Sequence, residues 1–156
     1  MKILILGAGR VGSSLASTLS KQQYEVSIVD LNKNRLQRLQ EDLDLATEVG
    51  HGSYPSTLKK AGADEETILL AVTNSDECNI TSCQIAKSEF NVKKTICRLS
   101  DASYLDSLSA FGENNIDIAI SPENEVTEHL VDLIKHPGAE QIESCLLYTS
   151  PSPRDT

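Results

Sequence analysis

At 156 residues and a formal charge of −9, the chain can bury one core and is too acidic for nucleic acid, whose phosphates select clustered Lys and Arg. No apolar run approaches the roughly 20 residues of a membrane-spanning helix. No basic segment precedes the first apolar stretch, as a secretory leader would require. The expectation is a soluble, cytoplasmic single domain with no direct membrane insertion, free to dock on a membrane protein.

The chain opens on an apolar run, Lys2–Leu6, followed by Gly7-Ala8-Gly9-Arg10-Val11-Gly12. A helical pattern then carries Val11, Leu15 and Leu19 on one face. This is G-x-G-x-x-G between a strand and a helix, with Asp30 about 20 positions on, at the end of the next apolar run Glu25–Val29. In that arrangement Gly7 allows the tight turn, Gly9 lets backbone amides approach a pyrophosphate, and Gly12 lets the helix pack closely. Arg10 and Val11 open the helix, whose N–H groups and dipole favour phosphate. Asp30 is placed to accept hydrogen bonds from ribose hydroxyls. These residues predict a nucleotide site.

Asn32 caps a second helix that buries Leu36, Leu39 and Leu43 and exposes Lys33, Arg35, Arg38 and Glu41. A third strand, Leu45–Val49, leads into His51-Gly52-Ser53 and a short helix after Pro55, with Leu58 and Ala61 inward and Gly62 ending it. The fourth strand, Thr67–Val72, precedes a helix from about Asp76 to Phe90. The fifth, Thr95–Leu99, precedes a helix with Tyr104, Leu105, Leu108 and Phe111 that stops at Gly112. The sixth, Ile116–Ile120, meets Ser121-Pro122-Glu123, a strong helix start. That helix carries Val126, Leu130, Val131, Leu133 and Ile134 before Pro137-Gly138. Its apolar surface is wide enough to pack on its own sheet or to cross to a second copy. Strands alternating with helices define the expected fold: α/β, a Rossmann-type doubly wound parallel β-sheet with helices on both faces and a C-terminal crossing helix.

From Cys145 to Thr156 the chain has no period, and it resembles the in-frame read-through of a sequencing adapter. The expected organisation is a nucleotide-binding domain over 1–136, the start of a linker to a missing C-terminal region over 137–144, and a non-native tail over 145–156. Cys78, Cys83 and Cys97 match no zinc-ligand spacing, and Cys83 and Cys97 read as small buried hydrophobes in a reducing compartment. No metal site is expected. His129 and His136 read as surface or helix-end residues.

In chain order, GAGRVG, VSIVD, G-H-G-S-x-P, A-V-T-N-S-D-E-x-N, C-R-L, S-P-E and H-P-G-A together resemble one family. It is the RCK (or KTN) nucleotide-binding domain of cytoplasmic regulatory subunits of bacterial Trk potassium-uptake systems. The resemblance spans nearly all of residues 1–144. It implies a regulatory subunit at the inner face of the plasma membrane that binds NAD or NADH, or ATP/ADP, and gates a membrane potassium translocator of Trk type. It also implies a homodimer or higher ring and no bond chemistry on the nucleotide.

The resemblance also assigns residues. Many members carry an uncharged residue where this chain has Arg10, and an arginine there can reach a terminal phosphate by charge-assisted hydrogen bonds, favouring ATP. Asp30 suits either ligand and argues against NADP. His51, Gly52 and Ser53 match a loop near the adenine. Thr73 and Asn74 follow the fourth strand at the carboxyl edge, where they can bond phosphate or ribose, and Asp76 either joins them or caps the next helix. Arg98 matches a position aimed at the phosphates. Glu123 resembles a glutamate associated with divalent-cation coordination beside them, and also suits a helix N-terminus. The alternative is the cofactor-binding half of an NAD-dependent dehydrogenase. That enzyme needs a proton-transfer group at the nicotinamide, and neither a Tyr-x-x-x-Lys pair nor a suitably placed histidine is evident. No upstream fusion to membrane helices is expected, because the first strand begins at once.

Overall fold

The computed structural model describes residues 1–22, 24–108, 115–122 and 127–135. The strands are β1 (Lys2–Leu6), β2 (Glu25–Asp30), β3 (Ala46–Val49), β4 (Thr67–Ala71), β5 (Lys94–Arg98) and β6 (Ile118–Ile120). The helices are α1 (Arg10–Lys21), α2 (Lys33–Asp42), α3 (Pro55–Lys60), α4 (Asp76–Phe90), α5 (Ala102–Asp106) and α6 (Thr127–Lys135). The described strands form one parallel sheet in the order β3-β2-β1-β4-β5-β6. This is the doubly wound order expected from the alternation of strands and helices.

Central strands covered on both faces read as near-continuous apolar runs, and β1 and β4 are buried almost throughout. The side chains still alternate between two cores. Ile3 and Ile5 join Leu15, Leu19, Leu36 and Leu130 on one face. Leu4 and Leu6 join Leu58, Ile80, Cys83 and Cys97 on the other. Each such Leu or Ile, fully withdrawn from water, contributes roughly 1.5–3 kcal/mol. Cys83 and Cys97 are the small buried hydrophobes expected of them, and a hydrogen bond to Cys97, together with burial, pushes the Cys83 thiol up.

Local signals set most helix ends. Asn32 accepts from the amide of Arg35 and caps α2, as expected. Only Leu36 of that helix is fully buried, because α2 ends at Asp42 and leaves Leu43 as an extended C-cap residue. Pro55 opens α3, and Gly62, at φ +91°, ends it. Asn91 takes the left-handed position after α4, at φ 57°. The predicted fifth helix is shorter than expected, five residues instead of a run to Gly112; Phe111 and Gly112 lie outside the described residues.

The described part of α6 packs on its own chain. Leu130, Val131, Leu133 and Ile134 enter the core shared by α1 and the sheet, and Thr127 is hydroxyl-bonded to Ser14 of α1. Buried Lys94 donates to the carbonyl of Leu133, a cation in the last helical turn where the dipole favours it. Burial lowers its pKa, and Asp117 opposes the shift. His129 is half-buried, not a surface residue, because it sits beside the inward stripe of α6. Burial holds its pKa below the ordinary histidine value, with Asp132 opposing. His136, the Pro137-Gly138 stop and the residues from 136 onward lie outside the described residues.

The glycine turn ties this architecture to the site. Gly7 has φ +106°, a conformation side chains disfavour, and a Cβ there would lie 3.1 Å from the Val72 carbonyl oxygen. At Gly12 a Cβ would lie 1.8 Å from the carbonyl oxygen of Gly7. The close approach made by Gly12 is thus to the turn itself, and α1 cannot start where it does with any larger residue. Gly12→Ala should therefore lower stability by about 3 kcal/mol or more, read as a fall in the urea midpoint. A loss under about 0.5 kcal/mol, the range of neutral surface changes, would mean that α1 need not sit against the turn.

Candidate nucleotide site

The carboxyl ends of β1, β2 and β4 surround a cleft of about 450 Å³. Of the residues singled out from sequence, Gly7, Asp30, His51, Gly52, Thr73 and Asn74 line it. Gly9 and Arg10 line a neighbouring cleft instead. Val11 turns its side chain against the first core, so what it offers at the loop is its backbone. Glu123 lies outside the described residues.

Asp30 organises the entrance. Its Oδ1 accepts from the amide of Ala8 at 2.9 Å, and its Oδ2 accepts from the amide of Asn32 at 2.8 Å. One carboxylate thus links the glycine loop to the start of α2. Each oxygen can accept further hydrogen bonds, so ribose hydroxyls can still be received there. Below it, the amide of Gly7 donates to the carbonyl of Val29 at 2.8 Å, and the amide of Gly50 to the carbonyl of Asp30 at 3.1 Å.

α1 begins at this loop with no capping side chain and no acid in its first turn. The orphan N–H groups and the positive end of the dipole remain available to an anion. By contrast α2, α4 and α5 are capped by Asn32, Ser75 and Asp101. A Cβ at Gly9 would meet nothing within 4 Å, so its side is open space rather than protein.

The third-strand loop is held from below. Buried Ser82 of α4 donates to the carbonyl of Gly52 at 3.0 Å. His51 accepts at Nδ1 from the Ser53 amide, its Nδ1 also pairs with the Ser53 hydroxyl at 2.8 Å, and its ring stacks on Tyr54 with centroids 4.8 Å apart. Ser53 therefore orients the histidine and does not itself line the cleft. Tyr54, behind that ring, is 57% exposed, and Leu31, which lines the cleft, is 67% exposed. The His51 ring and the exposed Leu31, both lining the cleft, suit a flat apolar group such as a nucleobase.

The fourth-strand loop is locked by Asn79, the last residue of the A-V-T-N-S-D-E-x-N motif. Asn79 is fully buried. Its Oδ1 accepts from the amide and hydroxyl of Thr73, and its Nδ2 donates to the carbonyls of Thr73 and Arg98. Thr73 is consequently committed to the loop, leaving Asn74 as its exposed polar tip. Arg98 is half-buried and donates from Nη1 to the Thr73 carbonyl at 3.2 Å.

Asp76 does not cap α4. Ser75 does, accepting from the amide of Cys78 at 3.1 Å. The buried Asp76 carboxylate accepts instead from the amides of Ser100 and Asp101, fastening the loop after β5. A one-residue shift decides this: the cap position precedes the first helical residue, and Asp76 is that first residue.

Sequence reasoning did not assign Leu31, Asn32, Arg35, Gly50, Ser75 and Cys78 to the cleft, yet they line it. Arg35 and Leu31 carried a signal, an arginine in the first turn of α2 and a large apolar residue between a strand end and a cap. Among the described residues no group of three His, Cys, Asp or Glu converges as a metal site.

A parallel sheet in this order, with a glycine turn after β1 and an acid ending β2, defines a dinucleotide-type α/β binding domain. The family model "TrkA-N domain" matches residues 3–122, and the chain belongs to that family. It is 43% identical over 144 residues, 91% of its length, to the Trk system potassium uptake protein TrkA of Halomonas elongata. It spans only 32% of that relative, about a third of the length of the curated relatives it matches. Among solved structures, the TrkA-N domain of inner membrane protein ybaL from Escherichia coli superposes with a TM-score of 0.66 at 18% identity, covering 85% of this chain and 96% of that one. The GsuK channel bound to NAD superposes with a TM-score of 0.61 at 18% identity, covering 78% of this chain and 21% of that one.

Loss of the Asn79 side chain would strand buried partners at about 1–3 kcal/mol each. Asn79→Ala should destabilise the domain by about 2–4 kcal/mol in urea unfolding. Wild-type stability in this variant would mean that water replaces its four bonds and the loop is not held by it.

Proposed function

We propose that the chain is the nucleotide-binding part of a regulatory subunit that gates potassium uptake. Its ligand is NAD or NADH, with ATP/ADP admitted through Arg10. The observation that carries this reading is the cleft itself, where the uncapped start of α1, the glycine turn and Asp30 meet. Membership of the TrkA-N family supports the transport setting, and the NAD-bound state of a channel carrying a similar fold supports the ligand.

The chemistry is binding and switching. The uncapped amides take the phosphates, Asp30 takes ribose hydroxyls, and the part of the cleft lined by Leu31 and His51 takes the adenine. A ligand held this way bridges β1, the start of α2 and the loop after β4. It shifts gating only insofar as it binds the two gating states with different affinity. The transport partner is a Trk-type membrane subunit, docked on the cytoplasmic side by a homodimer or ring of such domains. Among the described residues no helix is long and apolar enough to cross a membrane.

Calorimetric titration of the chain with NAD, NADH, ATP and ADP tests the reading. Binding without turnover is expected. Asp30→Ala should weaken every adenine nucleotide by about tenfold or more, since hydrogen bonds to a charged group contribute about 1.5–3 kcal/mol. Gly9→Val should abolish binding while the melting temperature holds, because its side is open in the protein but occupied by phosphate in the complex. Wild-type affinity in the Gly9 variant would place the nucleotide elsewhere.

A further inference from the structure

A second cleft, of about 390 Å³, lies beside the first and shares Arg35 with it. Arg10 enters it from α1, and Arg35 and Arg38 from α2; Leu39 gives it an apolar wall and Asp42 the one carboxylate among its lining residues. The Ser13 hydroxyl in this cleft is already given to the carbonyl of Ala8. Among the described residues none of the three guanidinium groups is in an ion pair or a side-chain hydrogen bond. Arg35 and Arg38 are one helical turn apart, a spacing at which like charges destabilise a helix. In a chain of net charge −9, three arginines against one carboxylate make this cleft a local concentration of positive charge. It borders Gly9 and the uncapped end of α1, where the inner phosphates of a nucleotide would lie.

We propose that Arg35 and Arg38 of α2, with Arg10, form a subsite for a terminal phosphate, a PO3 group held by a single bridging oxygen. It takes the terminal phosphate of a nucleotide whose inner phosphates lie over the glycine loop, and so rests on the nucleotide reading above. Such a group carries up to two negative charges on three terminal oxygens, which several planar guanidinium forks can engage at once. The two phosphates of NAD are diesters with one charge each, and the amides of the loop suffice for them. A phosphate on the adenosine ribose presents the same PO3 group with three terminal oxygens, but the Asp30 carboxylate repels it at the ribose.

The test is calorimetry on the full chain in magnesium-free buffer with ATP, ADP, NAD, NADP and inorganic tripolyphosphate. Arg38→Gln is the decisive variant, because Arg38 lines only the second cleft and is exposed on α2, so its loss leaves the fold alone. Removing a charge-assisted pair should weaken ATP about tenfold or more and leave NAD within about twofold. Tripolyphosphate should bind the wild type in competition with ATP, and more weakly in the variant. If NADP, rather than ATP, is the ligand that Arg38→Gln weakens, the phosphate comes from the ribose and the terminal-phosphate assignment falls. If NAD binds and Arg38→Gln changes ATP and NAD alike, or neither, the subsite is overturned and the nucleotide reading stands. If no nucleotide binds but tripolyphosphate binds in an Arg38-dependent way, the nucleotide reading falls and the arginines remain a polyphosphate site. Failure of every ligand overturns both.

Discussion

The site rests on one close approach. Where α1 leaves the glycine turn, the Cα of Gly12 passes the carbonyl of Gly7 with no room for a methyl group. That contact sets the start of α1 against the end of β1, and with it the direction of the uncapped amides. The left-handed Gly7 then brings the chain against the end of β4, so the turn touches the next strand in the sheet as well as its own helix. A cleft at this place follows from backbone geometry before any side chain is considered.

Around the turn, buried polar side chains hold the other loops. Asn79 closes the loop after β4, Ser82 the loop after β3, and Asp76 the loop after β5. All three lie in the first half of α4, which therefore acts as a common anchor for three loops. Buried polar groups with full sets of partners make a rigid site, because any rearrangement strands them away from water. Movement of α4 relative to the sheet would move all three loops together, a coupling that the proposed switching role would use.

The second helix plays the opposite part. Only Leu36 of α2 is fully buried, and its outward face is free of core duties. Its N-terminus is tied to the glycine loop through Asp30, which bonds both Ala8 and Asn32. A helix so lightly buried yet fastened at the site can carry charge toward it at little packing cost, as Arg35 and Arg38 do.

Much of this was legible in the chain. The alternation of apolar strands and helical faces specified the parallel sheet, because strands buried on both sides and helices buried on one leave different periods. Gly7, Gly12 and Asp30 were legible because their spacing reflects local geometry, and Asn32 because a cap acts within three residues. What the tertiary structure decided were meetings of separate segments: Asp76 fastening Ser100 and Asp101, Asn79 bridging Thr73 and Arg98, and Arg10, Arg35 and Arg38 lining one cleft. None follows from local period, since each depends on which strands become neighbours. β1 lies between β2 and β4, so residues some sixty positions apart, such as Lys2 and Thr67, pair in register. Local physics writes the elements into the sequence; the order of the strands determines which side chains meet.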